Sequence, residues 1–157
     1  MMQKINFNLS CACVSDAYEI SLIEKECFSA PWSENQIVTE ISKDNVIFLI
    51  AKTDNELCGY ISGQLILDEF YINNVAVTQK YRCKGIASSL INELLRRLKQ
   101  TDCALATLEV RESNINARRV YEKFGFINLG IRKDFYSHPK ENACIYTLYF
   151  NESECEN

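Results

Sequence analysis

The sequence of 157 residues has few of the residues that interrupt or link folded domains. Glycine occurs 5 times and proline twice, so no stretch is typical of a flexible linker. The longest runs without a charged side chain, residues 5–15 and 57–67, are well short of the roughly 20 apolar residues that span a membrane. The start of the chain has no signal-peptide core. We therefore expect a cytoplasmic protein with no membrane contact, one domain over residues 1–150 and an acidic tail over residues 151–157.

The sequence also has little that could bind a metal, although it contains 8 cysteines. No two cysteines form a CxxC pair, and the single histidine, His138, cannot complete a usual zinc site. The chain is long enough to bury a core without disulfide bonds. We predict reduced thiols, several of them small core hydrophobes, and no metal.

Charge is unevenly distributed in a chain whose net charge is only −4. Residues 1–79 carry 4 basic and 11 acidic side chains, whereas residues 80–133 carry 12 basic and 5 acidic ones. An acidic protein without a known nucleic-acid-binding motif is a poor candidate for binding DNA or RNA. A basic segment favours a small polyanion such as a phosphorylated cofactor, but a solvated helix face accounts for the same charges.

Hydrophobic periodicity predicts one mixed α/β structure in the order β-α-α-β-β-β-α-β-α-β-β. The predicted strands span residues 5–9, 46–52, 57–66, 70–77, 104–110, 126–131 and 143–150. The fifth is almost entirely apolar, which predicts burial on both faces. Capping boxes are predicted at Asp16 with Glu19 and at Ser33 with Gln36. The helix that starts at Ser113 or Asn114 is expected to close on a left-handed Gly125.

A strand–loop–helix junction at residues 74–88 is the first candidate binding site. The first turn of a helix has unpaired N–H groups and a partial positive charge, and both suit a pyrophosphate. Gly85 and the small side chains of Ala87 and Ser88 allow a close approach, and Lys80, Arg82 and Lys84 lie near enough to add charge. The segment lacks GxxxxGK[ST] and GxGxxG, which argues against ATP and NAD. As a bare pattern, an exposed loop accounts for it equally well.

Four motifs in order resemble the GNAT acetyltransferases. Residues 82–87, Arg-x-x-Gly-x-Ala, are similar to the acyl-CoA signature (Gln/Arg)-x-x-Gly-x-(Gly/Ala) of that family. LEVR at 108–111 with SN at 113–114, and YEKFGF at 121–126, are similar to the motif that follows it. CFSAPWS at 27–33 narrows the resemblance to members that acetylate the N-terminal alanine of a ribosomal protein.

The resemblance implies a GNAT-like single domain in which two central parallel strands, ending at Val77 and Val110, splay apart and hold acetyl-CoA. Backbone groups of Val75 and Val77 would pair with the pantetheine, amides of residues 83–88 would bind the pyrophosphate, and Asn114 would bind further along CoA. The residues implied to bind the donor are Val75, Ala76, Val77, Arg82, Cys83, Lys84, Gly85, Ile86, Ala87, Ser88 and Asn114. Cys83 is given no redox role.

The resemblance also implies two catalytic residues. Glu109 matches the general base, acting directly or through water; a strand-end acid that faces solvent or pairs with Arg111 is the alternative interpretation. An α-amine has a pKa of about 7.7–8.0, so it needs only mild base assistance. Tyr121 matches the general acid that protonates the CoA thiolate, and it also fits a core stripe with Val120 and Phe124. A tyrosine can bury its ring and still present its hydroxyl.

Pro31 and Trp32 resemble the family's acceptor-side loop, where an aromatic side chain packs on the first residues of a peptide, but helix capping and core packing account for the same residues almost as well. Tyr136 is predicted to border the peptide groove. Glu69 is a second candidate carboxylate, which could contact the N-terminal ammonium of the acceptor. A solvated surface side chain is the alternative interpretation of Glu69. PKENA at 139–143 departs from the family's P-x-E-D-A-like run. The function implied is transfer of acetyl from acetyl-CoA to a protein N-terminal α-amine, a ribosomal-protein alanine, by direct attack. The alternatives are a GNAT acting on a small free amine such as a polyamine or aminoglycoside, and an acyl-CoA-binding module without turnover.

Overall fold

The computed structural model describes residues 4–150, so the acidic tail lies outside the described residues. The element order agrees with the prediction. The strands are β1 (Asn8–Cys11), β2 (Val46–Lys52), β3 (Leu57–Ile66), β4 (Glu69–Val77), β5 (Leu105–Arg111), β6 (Ile127–Ser137) and β7 (Lys140–Tyr149). The helices are α1 (Ala17–Cys27), α2 (Glu34–Ile41), α3 (Ile86–Leu98) and α4 (Ile115–Lys123), with 3-10 turns at Val14–Asp16 and Gln79–Tyr81.

The strands form one sheet in the order β1-β2-β3-β4-β5-β7-β6, and hydrophobic clusters cover its two faces. All neighbouring strands are antiparallel except β4 and β5, which are parallel. Ile20 of α1 and Ile37 of α2 belong to one cluster, together with Tyr60 of β3. Leu90 and Leu94 of α3 belong to the other cluster. The apolar faces of the helices therefore enclose the half of the sheet that ends at β4.

The two parallel strands separate soon after they begin, as the family resemblance implied. They pair only at Glu69–Leu105, Phe70–Ala106 and Tyr71–Thr107, although both strands continue beyond these pairs. On its other side, β4 contains a bulge, because Ile72 is opposite Gly63 and Asn74 is opposite Ser62. Asn73 is thus an extra residue, two positions after Tyr71 of the last parallel pair. A bulge bends its strand and increases its twist, so β4 turns away from β5 at this point and leaves an open edge.

The prediction that β5 is buried on both faces is wrong. Ala106, Leu108 and Val110 are buried, whereas Thr107 and Glu109 alternate with them and are only partly buried. The strand does alternate between buried and partly exposed side chains. The sequence did not reveal this, because threonine is found at both buried and exposed positions of strands. One face of β5 therefore packs on the core and the other is available to a ligand.

Several predicted boundaries also differ from the structure. β1 was expected over residues 5–9, but its ladder begins at Asn8, opposite Lys52 where β2 ends. Ile5 and Phe7 still pack against the core, because side-chain alternation reports burial and not backbone pairing. β6 and β7 are each longer than predicted and contain register irregularities that disturb the period of two.

The predicted helix signals have mixed outcomes. Ser33 Oγ accepts from the Gln36 N–H (3.2 Å) and Gln36 Oε1 accepts from the Ser33 N–H (2.8 Å), so this capping box is confirmed. Gly125 has φ +92, as expected for a left-handed cap. The capping box at Asp16 is wrong, because the Asp16 carboxylate accepts from the Cys13 N–H (2.7 Å) and pairs with Lys52 (2.5 Å).

Candidate active site

The loop before α3 presents a row of backbone N–H groups without protein partners. Within residues 4–150, none of the amides of residues 83–88 donates a hydrogen bond, and the first that does is Ser89, to the Gly85 carbonyl (3.0 Å). Cys83 and Gly85 both have positive φ, at 61° and 83°. No atom lies within 4 Å of the place where a Gly85 Cβ would stand. Unpaired amides at an open helix N-terminus have the chemistry that an anion requires.

The three cations near this loop differ in their availability. Lys80 pairs with Glu56 at 2.5 Å. Arg82 turns back, and its Nε donates to the Val77 carbonyl at 3.0 Å. Lys84 is exposed and makes no ion pair or hydrogen bond within the described part of the chain. Lys84 is therefore the cation of the three that is free to approach a phosphate.

The open edge of β4 has the backbone alternation that an added strand needs. The Thr78 N–H donates to the Cys58 carbonyl on β3 at 2.9 Å. Because backbone groups alternate in direction along a strand, the N–H and C=O of Val77 and Val75 point the other way, toward the gap left by β5. Those of Ala76 face Tyr60 on β3, with which Ala76 is paired.

Glu109 stands on β5 two residues past the last pair with β4, and its partner was not predicted. Its side chain is 28% exposed, and Arg132 Nε of β6 lies 3.6 Å from its carboxylate. Arg111, the partner expected under the alternative interpretation, instead pairs with Glu141 at 3.2 Å and lies 4.3 Å from the Tyr136 ring centroid. Glu109 is thus an accessible carboxylate balanced by one guanidinium.

Two tyrosines lie within range of the charge of Glu109, and one of them is hydrogen-bonded to a second carboxylate. The Tyr71 hydroxyl donates to Glu69 at 2.7 Å, and this hydrogen bond is the main cause of a raised pKa of Tyr71. Burial raises the pKa of Tyr136, although Arg111 beside it acts to lower the pKa. The charge of Glu109 acts on both phenols. The charge of Glu109 thus reaches Tyr136, which was predicted on the acceptor side, and Tyr71, which sequence reasoning missed and which connects to Glu69 by its hydrogen bond.

Tyr121 of α4 is 8% exposed, and its ring packs against Phe126 and Tyr146, with centroids 5.8 and 6.2 Å away. Within residues 4–150 its hydroxyl makes no hydrogen bond, and it is not among the fully enclosed unpaired polar atoms, which are Ser62 Oγ and Thr78 Oγ1. Burial raises the pKa of Tyr121, and the neighbouring Tyr136 adds to this. The phenol is therefore a protonated donor with a free hydroxyl.

Asn114 is placed at the first turn of α4 as predicted. Its Oδ1 accepts from the Ala117 N–H at 3.2 Å, so the oxygen serves as the helix cap. The side chain is exposed, and its amide NH₂ remains available to a ligand.

The loop between α1 and α2 is held to α1 by Glu24, a residue that sequence reasoning missed. The Trp32 N–H donates to Glu24 at 3.0 Å, while the Trp32 ring packs partly against the α1–α2 core. Pro31 is exposed. Glu24 is 1% exposed. The signal was present, because Glu24 lies four residues after Ile20 on the apolar face of α1.

Neither a metal site nor a membrane span is found in residues 4–150. No three His, Cys, Asp or Glu side chains of this part of the chain lie together as metal ligands would, and none of its helices is long and apolar enough to cross a bilayer. Cys58, Cys103 and Cys144 are buried, which confirms the prediction of core cysteines, and burial raises the pKa of the first two thiols.

An open edge between two splayed strands, next to a helix N-terminus with unpaired amides, defines the class of this protein. Residues 17–126 match the acetyltransferase (GNAT) family. The chain belongs to that family and is an acetyl-CoA-dependent N-acetyltransferase.

Two relatives within that family are named as alanine N-acetyltransferases of a ribosomal protein. The ribosomal protein bS18-alanine N-acetyltransferase of Haemophilus influenzae is 33% identical over 130 residues, covering 81% of this chain and 88% of that protein. The crystal structure of the ribosomal-protein-S18-alanine N-acetyltransferase from Escherichia coli matches with a TM-score of 0.85 and 25% identity, over 97% of this chain and 100% of that one. Arabidopsis thaliana NAA60 in complex with acetyl-CoA shares the fold, with a TM-score of 0.84 and 18% identity over 92% of this chain and 100% of that one. The chain thus resembles the bacterial RimI enzymes.

Proposed function

We propose that this protein transfers the acetyl group of acetyl-CoA to the N-terminal α-amine of a protein, with the alanine of a ribosomal protein as the preferred acceptor. The observation that carries the proposal is the separation of β4 from β5 after three pairs, with Glu109 on the open side of β5. The names of the Haemophilus influenzae and Escherichia coli relatives support the choice of acceptor.

In the proposed donor complex, the backbone of Val75 and Val77 pairs with the pantetheine in the manner of an added strand. The pyrophosphate accepts hydrogen bonds from the amides of residues 83–88, and Lys84 contributes charge. Arg82 must then release the Val77 carbonyl, to which its Nε donates at 3.0 Å. Asn114 contacts a more distant part of CoA through its NH₂ group.

In the proposed reaction, the amine attacks the thioester carbon directly in a ternary complex. A C–N bond forms, the C–S bond breaks, and the amine proton passes to Glu109, directly or through water. Tyr121 gives its proton to the departing thiolate. Exchange with solvent afterwards returns a proton to Tyr121 and removes one from Glu109. No cysteine is acylated.

Acceptors are proposed to enter from the side of Pro31, Trp32 and Tyr136. An aromatic anchor can pack on the first residues of a peptide. Glu69, which accepts a hydrogen bond from the Tyr71 hydroxyl at 2.7 Å, attracts the ammonium form of the incoming amine in this proposal. An α-amine has a pKa of about 7.7–8.0, so roughly a tenth or more of it is neutral at pH 7 and only mild base assistance is needed.

The proposal is tested by incubating the purified protein with acetyl-CoA and a peptide that starts with the alanine of ribosomal protein S18. Release of free thiol together with a gain of one acetyl group on the peptide is expected. The control is the same peptide with its α-amine already blocked and an internal lysine left free. Acetylation of the control at an equal rate would contradict α-amine specificity.

Two other results would overturn the proposed acceptor. A polyamine such as spermidine acetylated in preference to the peptide would assign the enzyme to small free amines. Stabilisation by CoA against heat, without product from any acceptor, would indicate a binding module, because a ligand that binds only the folded state raises stability by mass action.

A further inference from the structure

Glu24 is a buried carboxylate that joins three separate parts of the molecule. It lies on α1 and is 1% exposed. Its oxygens accept from the Trp32 N–H (3.0 Å) in the α1–α2 loop, from Asn74 Nδ2 (2.9 Å) on β4, and from the Tyr60 hydroxyl on β3. Charge-assisted hydrogen bonds of this kind are stronger and more directional than neutral ones.

Two of the three donors lie beside the proposed substrate sites. Asn74 immediately follows the extra residue of the β4 bulge and precedes Val75, whose backbone faces the open edge. Trp32 belongs to the loop on the acceptor side. One carboxylate therefore holds the donor-binding strand and the acceptor loop in a fixed relation.

A second contact strengthens the same connection one turn further along α1. The Cys27 thiol points at the Val77 carbonyl at 3.7 Å, and Arg82 Nη2 lies 3.5 Å from the Cys27 sulfur. The last turn of α1 is thus attached to β4 at both Asn74 and Val77. The contacts of Cys27 hold α1 against the donor-binding strand independently of Glu24.

A stabilising role alone does not account for a charge at this place. Removing a carboxylate from water is costly, and a well-packed apolar side chain often serves stability equally well. Glu24 also cannot contact a substrate, because its carboxylate is enclosed and three protein donors already bond it.

We propose that Glu24 is a positioning residue for the acceptor: through the Trp32 N–H it sets the distance of the acceptor loop from the strand that binds the donor. The inference rests on the proposed function, since it assumes that the peptide passes over Trp32. Its effect is on the place of the acceptor and not on the affinity for acetyl-CoA.

The test compares Glu24→Gln and Glu24→Ala with the unaltered protein in steady-state kinetics. Loss of a hydrogen bond to a charged group is expected to raise the KM for the peptide about tenfold in Glu24→Ala, while the KM for acetyl-CoA changes less than about twofold. Glu24→Gln is expected to lie between the two, because its carboxamide oxygen can still accept from the Trp32 N–H. If Glu24→Ala does not fold, the Gln variant decides the question.

Trp32 is the single tryptophan of the chain, so its fluorescence reports the loop without any substrate. Quenching by acrylamide is expected to increase in both Glu24 variants. Glu19→Gln is the matched control: Glu19 is also on α1 and accepts from the Leu57 N–H at 3.3 Å, but it does not contact the loop. It is expected to leave both the quenching and the peptide KM unchanged.

The outcomes separate this inference from the proposed function. Unchanged Trp32 quenching, or equal rises in both KM values, in a protein that acetylates the peptide would overturn the role of Glu24 alone. A protein that acetylates no peptide, with quenching altered as expected, would overturn the proposed function while the link between Glu24 and the loop stands.

Discussion

The surroundings of Glu109 decide how this carboxylate can act. Arg132 Nε lies 3.6 Å from the Glu109 carboxylate, and the Glu109 side chain, which is 28% exposed, leaves room for an incoming amine or a water molecule. Arg111 does not compete, because it is occupied by Glu141 and by carbonyls of the β6–β7 turn. An accessible carboxylate beside one guanidinium is suited to accept one proton.

Glu109→Gln is expected to lower turnover at pH 7 roughly 100-fold, because a carboxamide cannot accept the amine proton. The deficit should shrink as the pH rises above about 8, where the free amine is already deprotonated. The pH–rate profile of both proteins measures this. Glu112→Gln serves as the control, since Glu112 is a nearby carboxylate bonded to Asn142 (3.2 Å) and has no proposed role in the reaction. Identical profiles for Glu109→Gln and the unaltered protein would remove Glu109 from the role of base.

Tyr121→Phe is expected to lower turnover roughly 10- to 100-fold with little effect on stability. The phenylalanine ring keeps the contacts with Phe126 and Tyr146, and only the unpartnered hydroxyl is lost. Burial raises the pKa of Tyr121 above the ordinary 10.0, so the phenol stays protonated through neutral pH. The turnover of the unaltered protein should therefore show no loss of the acid below about pH 10. A Phe variant with full turnover in a thiol-release assay would contradict the assignment.

At the scale of elements, the bulge in β4 makes the cleft. Gly63 of β3 lies opposite Ile72, beside the extra residue Asn73. A Cβ added at Gly63 would stand 2.5 Å from the Tyr71 carbonyl oxygen and would also overlap the Phe70 ring. The bulge thus depends on a glycine in the neighbouring strand, which allows β4 to approach closely just before it bends away.

Gly63→Ala is expected to lower the free energy of unfolding by about 1–3 kcal/mol, since overpacking forces the backbone to move. The shift of β4 should also raise the KM for acetyl-CoA. Chemical denaturation and donor titration measure the two effects. Gly130→Ala is the control, because no atom lies within 4 Å of the corresponding Cβ position. Equal stability of the two variants would show that β4 tolerates the added methyl group.

At the scale of the whole molecule, the division of charge follows the division of binding tasks. Residues 80–133, with 12 basic and 5 acidic side chains, supply the amide-rich loop, α3 and α4. Residues 1–79, with 4 basic and 11 acidic ones, supply the loop that carries Trp32 and the Glu69 region. This polarity suits an anionic donor on one side and a cationic amine on the other.

The KM for acetyl-CoA is expected to rise roughly threefold or more between about 0.1 and 1 M salt, over which the screening length falls from about 10 to about 3 Å. Acetyl-pantetheine, which lacks the phosphates, is the matched donor control and should show no such rise. Lys84→Gln should reduce the salt dependence for acetyl-CoA. Parallel behaviour of the two donors would mean that phosphate charge does not guide binding.

Local signals in the sequence predicted local structure well. The Ser33–Gln36 box and the left-handed Gly125 were correct because each depends on a few neighbouring residues. Asp16 was misinterpreted because the same residue type can cap a helix or accept from an earlier N–H, and the approach of Lys52 from β2 decides between them. The exposed face of β5 was missed for a related reason, since burial depends on the elements that pack above and below the strand.

Short patterns along the chain were enough to predict the order of the elements, the glycine-containing loop before α3 and the family to which they point. The point where β4 leaves β5, the approach of Arg132 instead of Arg111 to Glu109, and the three donors around Glu24 became visible in the folded molecule. Those features join residues far apart in the chain. Their energies come from packing and from removing charges from water, which arise only when the elements meet.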